Sequence, residues 1–132
     1  MANPSKQKGT HAETRLAKHL TSHGLKTERV PLAGSEDKGD LLMTLPTGEQ
    51  VTLEVKTGKM TNVYSRSLHT KWMRETLVEG KNSGNRSALV IVRYKRNLAN
   101  AEVWIPNSTW FNHSGWTMLY LDDFIIEMGG EP

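Results

Sequence analysis

The feature that most constrains the fold is a pair of alternating segments joined by a four-residue turn. Residues 40–45 (DLLMTL) and 50–56 (QVTLEVK) both read as strands, and the Pro46-Thr47-Gly48-Glu49 stretch between them has turn composition. A parallel crossover needs a dozen or more residues, so these strands are expected to pair as an antiparallel hairpin. In the second strand, period-two geometry puts Val51, Leu53 and Val55 on one face. Gln50, Thr52, Glu54 and Lys56 share the other. The apolar face is expected to point into a core and the polar face away from it. The strand then ends in an acid and a base that project together, and the hairpin returns Asp40 alongside Glu54.

The rest of the chain reads as elements around that hairpin. Residues 10–23 carry Ala12, Leu16, Ala17 and Leu20 at helical spacing, and Gly24 is a natural stop. Thr10 and Glu13 have the T-x-x-E spacing of a capping box. Residues 1–9 (MANPSKQKG) read as a flexible basic arm, leaving 10–132 as one domain. A second helix is expected over 67–79, with Leu68, Trp72, Met73 and Leu77 as its apolar stripe. Residues 88–94 (ALVIVRY) read as the strongest strand, and the unbroken apolar run within them suggests burial on both faces. Short strands at 102–105 and 117–121 follow, then a helix over 122–128 capped by Asp122. This order predicts an α/β fold: a mixed β-sheet flanked by helices in a single domain.

Composition limits the function. The chain has 132 residues and no cysteine, which excludes disulfides, a thiol nucleophile and a cysteine zinc site. No apolar run approaches the ~18 residues of a membrane span, and the N-terminus lacks the apolar stretch of a signal peptide. An intracellular, cytoplasmic protein is expected. The net charge is only +3, but it is uneven: residues 1–75 hold 12 basic and 8 acidic groups, residues 76–132 hold 5 and 6. From Val55 to Arg74 there are five bases and no acid. Lys59, Arg66, Lys71 and Arg74 in this stretch are candidates for phosphate contacts, as are Lys6 and Lys8 in the arm. A solvated loop and helix face accounts for the same residues equally well.

The chemistry concentrates at Asp40, Glu54 and Lys56. Two hard carboxylates that share a cation suit Mg²⁺ or Mn²⁺. Such an ion polarises a phosphoryl oxygen and acidifies water, and a neighbouring ammonium offsets charge developing in the transition state. This is the equipment of phosphodiester hydrolysis. Glu and Lys two apart are also common on half-buried strands, so the triplet alone is a weak signal.

The stretch from Lys8 to Lys59 resembles the PD-(D/E)XK, or restriction-endonuclease-like, nuclease superfamily, and within it the archaeal-type Holliday junction resolvases and their phage relatives. The likeness is carried by Lys8-Gly9 followed by a helix with Glu13, then Arg29-Val30-Pro31, Gly34-Ser35, Asp40 and Glu54-Val55-Lys56. Gly39 stands where the superfamily's name has proline. The resemblance implies that Asp40 and Glu54 bind metal, with Glu13 as a further acid there. It makes Lys56 the catalytic base or charge stabiliser and matches Ser35 to a loop serine. It further implies a homodimer that cuts DNA four-way junctions with Mg²⁺, or Mn²⁺ in its place. The cap role with Thr10 competes for Glu13. Two other readings stay open: an endonuclease of the same fold acting on linear or flapped DNA, and a DNA-binding subunit that does not cleave.

Overall fold

The computed structural model describes residues 4–31, 39–63 and 65–132, with side chains from residue 11 onward. The expected hairpin forms. Strands β2 (Leu41–Thr44) and β3 (Gln50–Lys56) pair antiparallel, with Leu41 opposite Leu53 and Thr44 opposite Gln50. Strand β1 (Lys26–Arg29) lines the outer edge of β2. Helix α2 (Arg66–Ser83) carries the chain back, so β4 (Arg86–Ile91) lies parallel to β3. Strands β5 (Glu102–Pro106) and β6 (Trp116–Tyr120) complete a six-stranded sheet in the order β1 to β6. Helices α1 (Pro4–Ser22) and α4 (Leu121–Glu127) pack on one face and α2 on the other, while α3 (Asn107–Trp110) is a single turn between β5 and β6. This is the mixed sheet flanked by helices that the order of elements implied.

Val51, Leu53 and Val55 pack into the main core with Leu16 and Leu20 of α1 and Phe124 of α4. Each such buried side chain stabilises the fold by roughly 1.5–3 kcal/mol. The other face of β3 departs from the expectation that it points away from any core. Thr52 and Glu54 are also buried, because α2 lies over them through Thr76, Glu79 and Gly80. Gly80 permits this approach: a Cβ there would lie 2.6 Å from Ser87 Oγ. Polar bonds then fasten the layers. Ser87 Oγ donates to Thr76 O at 2.9 Å, and Thr52 Oγ1 donates to Ser83 Oγ at 2.9 Å.

Three helix boundaries differ from the sequence reading. Helix α1 begins at Pro4 rather than Thr10, so its first turns occupy part of the stretch expected to be an arm. Proline's fixed φ suits a first helical turn. Thr10 is therefore internal, and Glu13 is not the partner of a capping box. Helix α2 runs past Gly80 to Ser83 and ends at Gly84, which takes the left-handed conformation at φ 75°. Its expected stripe is only partly right, since Trp72 is buried while Leu77 is exposed. Helix α4 starts at Leu121, and its N-cap is Tyr120 without a side-chain bond. Asp122 is thus not the cap; it sits with Asp123 in the first turn, where acids complement the helix dipole. Among the described residues, no helix is long and apolar enough to cross a membrane.

Candidate active site

The site is built where β2 begins and β3 ends. Gly39 has φ +92°, and a Cβ there would lie 2.4 Å from Thr52 Cγ2. Proline, fixed at about −65°, is impossible at this position, so the backbone here requires glycine. Asp40 is then held from both sides. Its N–H donates to Leu53 O at 3.0 Å, and its carbonyl accepts from Val30 N at 2.9 Å. Its Oδ2 accepts from Val55 N at 2.8 Å, an amide beyond the last paired residues of β2 and β3.

This anchoring puts Asp40 against Glu54. Burial first, and then the Glu54 charge, push the Asp40 carboxyl up to about 7, against the pull of the Val55 amide; Glu13 adds a further upward push. A side-chain hydrogen bond also joins Asp40 and Glu54. Two carboxylates in a largely desolvated place oppose each other's ionisation unless a cation joins them.

Lys56 is the cation of the site. Its Nζ lies 3.1 Å from Glu54 Oε1 and 2.7 Å from Glu75 Oε2. Burial works to lower its pKa, but Glu54 and Glu75 outweigh that and hold the ammonium above its ordinary range. A lysine so placed stays charged at neutral pH. Of the two roles open to it, base or charge stabiliser, the geometry supports the second. Glu75, on α2, was not singled out from the sequence. Nothing local marks it: its link to Lys56 exists only once α2 packs on β3.

Glu13 projects from α1 beside the pair. Burial, opposed by Arg29 and reinforced by Glu54, raises its pKa. Arg29 Nε binds Glu13 Oε2 at 3.2 Å. The structure thus brings Glu13, Asp40, Glu54 and Lys56 into one electrostatic unit, with Glu13 engaged by Arg29.

Among the described residues, no group of three Asp, Glu or His side chains converges at metal-ligand spacing. That does not suit a closed zinc cage, which needs four protein ligands. Two hard carboxylates are a donor set that suits Mg²⁺, which keeps several waters and takes one or two carboxylates plus phosphate oxygens. Asp40 and Glu54 would be those carboxylates.

The basic candidates separate. Arg66, Lys71 and Arg74 line a shallow concavity on α2 with Ser67 and Thr70. Lys59 lies apart from them, its Nζ 6.0 Å from the Tyr94 ring centroid. Lys6 and Lys8 fall in the first turns of α1, and their side chains lie outside the described residues, as does Ser35.

No protein-family model matches this chain, and no curated protein sequence does. Among solved structures it is similar to Hjc, a Holliday junction resolvase from the archaeal hyperthermophile Archaeoglobus fulgidus. The TM-score is 0.52 and the identity 16%, over 93% of this chain and 94% of that one. At that identity the likeness establishes the fold, a single α/β domain on a mixed six-stranded sheet.

Proposed function

We propose that this chain is a Mg²⁺-dependent DNA endonuclease, acting as a homodimer that resolves four-way junctions. The observation that carries the reading is the desolvated Asp40–Glu54 pair with a charged Lys56 beside it. Two acids forced together are destabilising in themselves, and a fold that seats them by a dedicated backbone anchor has a cation to gain. The likeness of fold to a junction resolvase supports the choice of substrate.

A bound Mg²⁺ would polarise the phosphate and acidify water near it. The chain's own groups supply the rest. Asp40 is oriented by the Val55 amide, which holds its carboxyl beside Glu54. Lys56 is positioned by Glu75 and holds a positive charge where the phosphorane's negative charge develops. No side chain in the site suits a covalent step, so direct attack by water is the expected route.

Labelled four-way junction and matched linear duplex, each with Mg²⁺ or with chelator, test the reading. Metal-dependent cutting of the junction ahead of the duplex is the expected result. Equal cutting of both would leave a nuclease without junction selectivity, and binding with no metal-dependent product would remove the enzyme altogether.

A further inference from the structure

We propose that Arg15, Lys95 and Arg96 form a track for the phosphate backbone that leads a DNA arm into the active site. The inference rests on the DNA substrate proposed above and names which surface holds it. A groove lined by Arg15, Thr57, Gly58, Tyr94, Lys95 and Arg96 opens at the end of β3. Thr57 and Gly58 follow Lys56 directly, and Val92 N donates to Lys56 O at 2.8 Å. Arg15 lines the groove together with His11 and Ala12, from the stretch of α1 that carries Glu13. A strand lying in this groove is therefore already at the site's edge. The concavity of Arg66, Lys71 and Arg74 includes no residue of β3.

The charges of the groove are available. Arg15, Lys95 and Arg96 are exposed, and among the described residues none of them forms an ion pair. Arg93, in the same loop, is occupied by both oxygens of Glu102. It acts as a structural post for the loop.

The loop is also fastened in place. Arg93 donates to Thr61 O, Tyr94 N donates to Thr61 Oγ1 at 2.9 Å, and Asn62 Nδ2 donates to Tyr94 O at 3.0 Å. These bonds hold Lys95 at φ 59°, a left-handed conformation that non-glycine residues seldom take. The Lys59 and Lys95 ammonium groups lie 6.0 and 5.6 Å from the Tyr94 ring centroid. A fastened loop that gathers like charges around one ring, in a groove with no acid among its described lining residues, is matched to a polyanion.

The test is anisotropy binding of the full chain to a labelled four-way junction in EDTA, across a KCl series. Each lost phosphate contact lowers the slope of log K against log salt by about 0.9. The triple variant Arg15→Gln, Lys95→Gly, Arg96→Gln should lose roughly 2 or more of that slope, whereas Arg66→Gln, Lys71→Gln, Arg74→Gln should keep it. Glycine at 95 suits the left-handed backbone, so the groove variant should fold, and an unchanged Tm verifies that. An unchanged slope in a folded groove variant, or a slope lost only in the α2 variant, overturns the track. The readout needs no cleavage and so separates the two proposals. A wild type that binds through these residues but never cuts supports the track and removes the nuclease. A wild type that cuts while the groove variant keeps its slope removes the track alone. A wild type with no salt-dependent binding removes both.

Discussion

Replacing Asp40 by asparagine should stabilise the metal-free protein, and the gain should depend on pH. In the folded chain, burial and then Glu54 raise the Asp40 carboxyl from its ordinary 3.8 to about 7. Between those two values the folded state holds a proton that the unfolded state has released. Stability therefore falls as pH rises through that window and levels off above about 7. From 3.8 to about 7, at about 1.36 kcal/mol per pH unit, the loss is at most roughly 4 kcal/mol. Asparagine mimics the neutral acid, and its Oδ1 can still accept from Val55 N. Urea denaturation of both proteins in EDTA, from about pH 4 to pH 8, measures the difference. The gap should be near zero at the acid end, open steadily, and hold constant above about pH 7. Mg²⁺ at neutral pH should close much of it by stabilising the wild type. A gap that stays flat across the series would refute the argument that Glu54 and burial strain Asp40. A gap that opens but ignores Mg²⁺ would move the metal elsewhere.

Lys56→Ala should lower cleavage by about 10²–10³-fold, the usual cost of losing a transition-state charge stabiliser. Junction binding should stay within a few-fold, and a loss of binding instead would make Lys56 a docking residue. Glu75→Gln should lower cleavage by about 10–100-fold through Lys56, the usual cost of losing an outer-shell partner. The alkaline limb of its pH–rate profile should move to lower pH, because Glu75 helps hold the ammonium charged; an unmoved limb would leave Glu75 with a packing role only. Gly39→Ala should destabilise the fold by roughly 2–4 kcal/mol, from a strained φ and a clash with Thr52, and a melting temperature equal to wild type would contradict it. Glu13→Ala should abolish most cleavage, and a near-wild-type rate would leave Glu13 only the partner of Arg29.

What the sequence made legible was local. The bounds of β3 follow from period-two alternation closed by a four-residue turn, and that hairpin brings Asp40 to Glu54 by covalent necessity. The unbroken run in β4 marks burial on both faces because no polar residue interrupts it. Non-local chemistry left no such trace. The face that α2 buries is Trp72, Thr76, Glu79 and Gly80. A hydrophobicity pattern does not select threonine, glutamate and glycine, since these pack through small size and hydrogen bonds. Glu75 and the Arg15–Lys95–Arg96 group gain meaning only from elements distant in sequence meeting in space. Trp110 is placed at the edge of the core in the same way, its indole N–H bonded to Ser87 O at 3.0 Å and its ring under the Arg86 guanidinium.

The charges of the site also explain why a proton settles on Asp40 in particular. With every group ionised, Glu13, Asp40, Glu54 and Glu75 carry four negative charges against the positive charges of Arg29 and Lys56. Arg29 is committed to Glu13, and Lys56 is divided between Glu54 and Glu75. Asp40 alone of the four acids has a backbone amide in place of a cationic side chain. An amide dipole favours a carboxylate less than a full charge does, so no cation offsets the burial and then the Glu54 charge that push Asp40 up to about 7. Among these groups acids outnumber bases, and the excess lies at the oxygens that two strands bring together, beside a groove whose cations attract the opposite charge. A polyanionic strand and a divalent ion would thus be drawn to neighbouring parts of one surface, each relieving a charge that the fold itself leaves uncompensated.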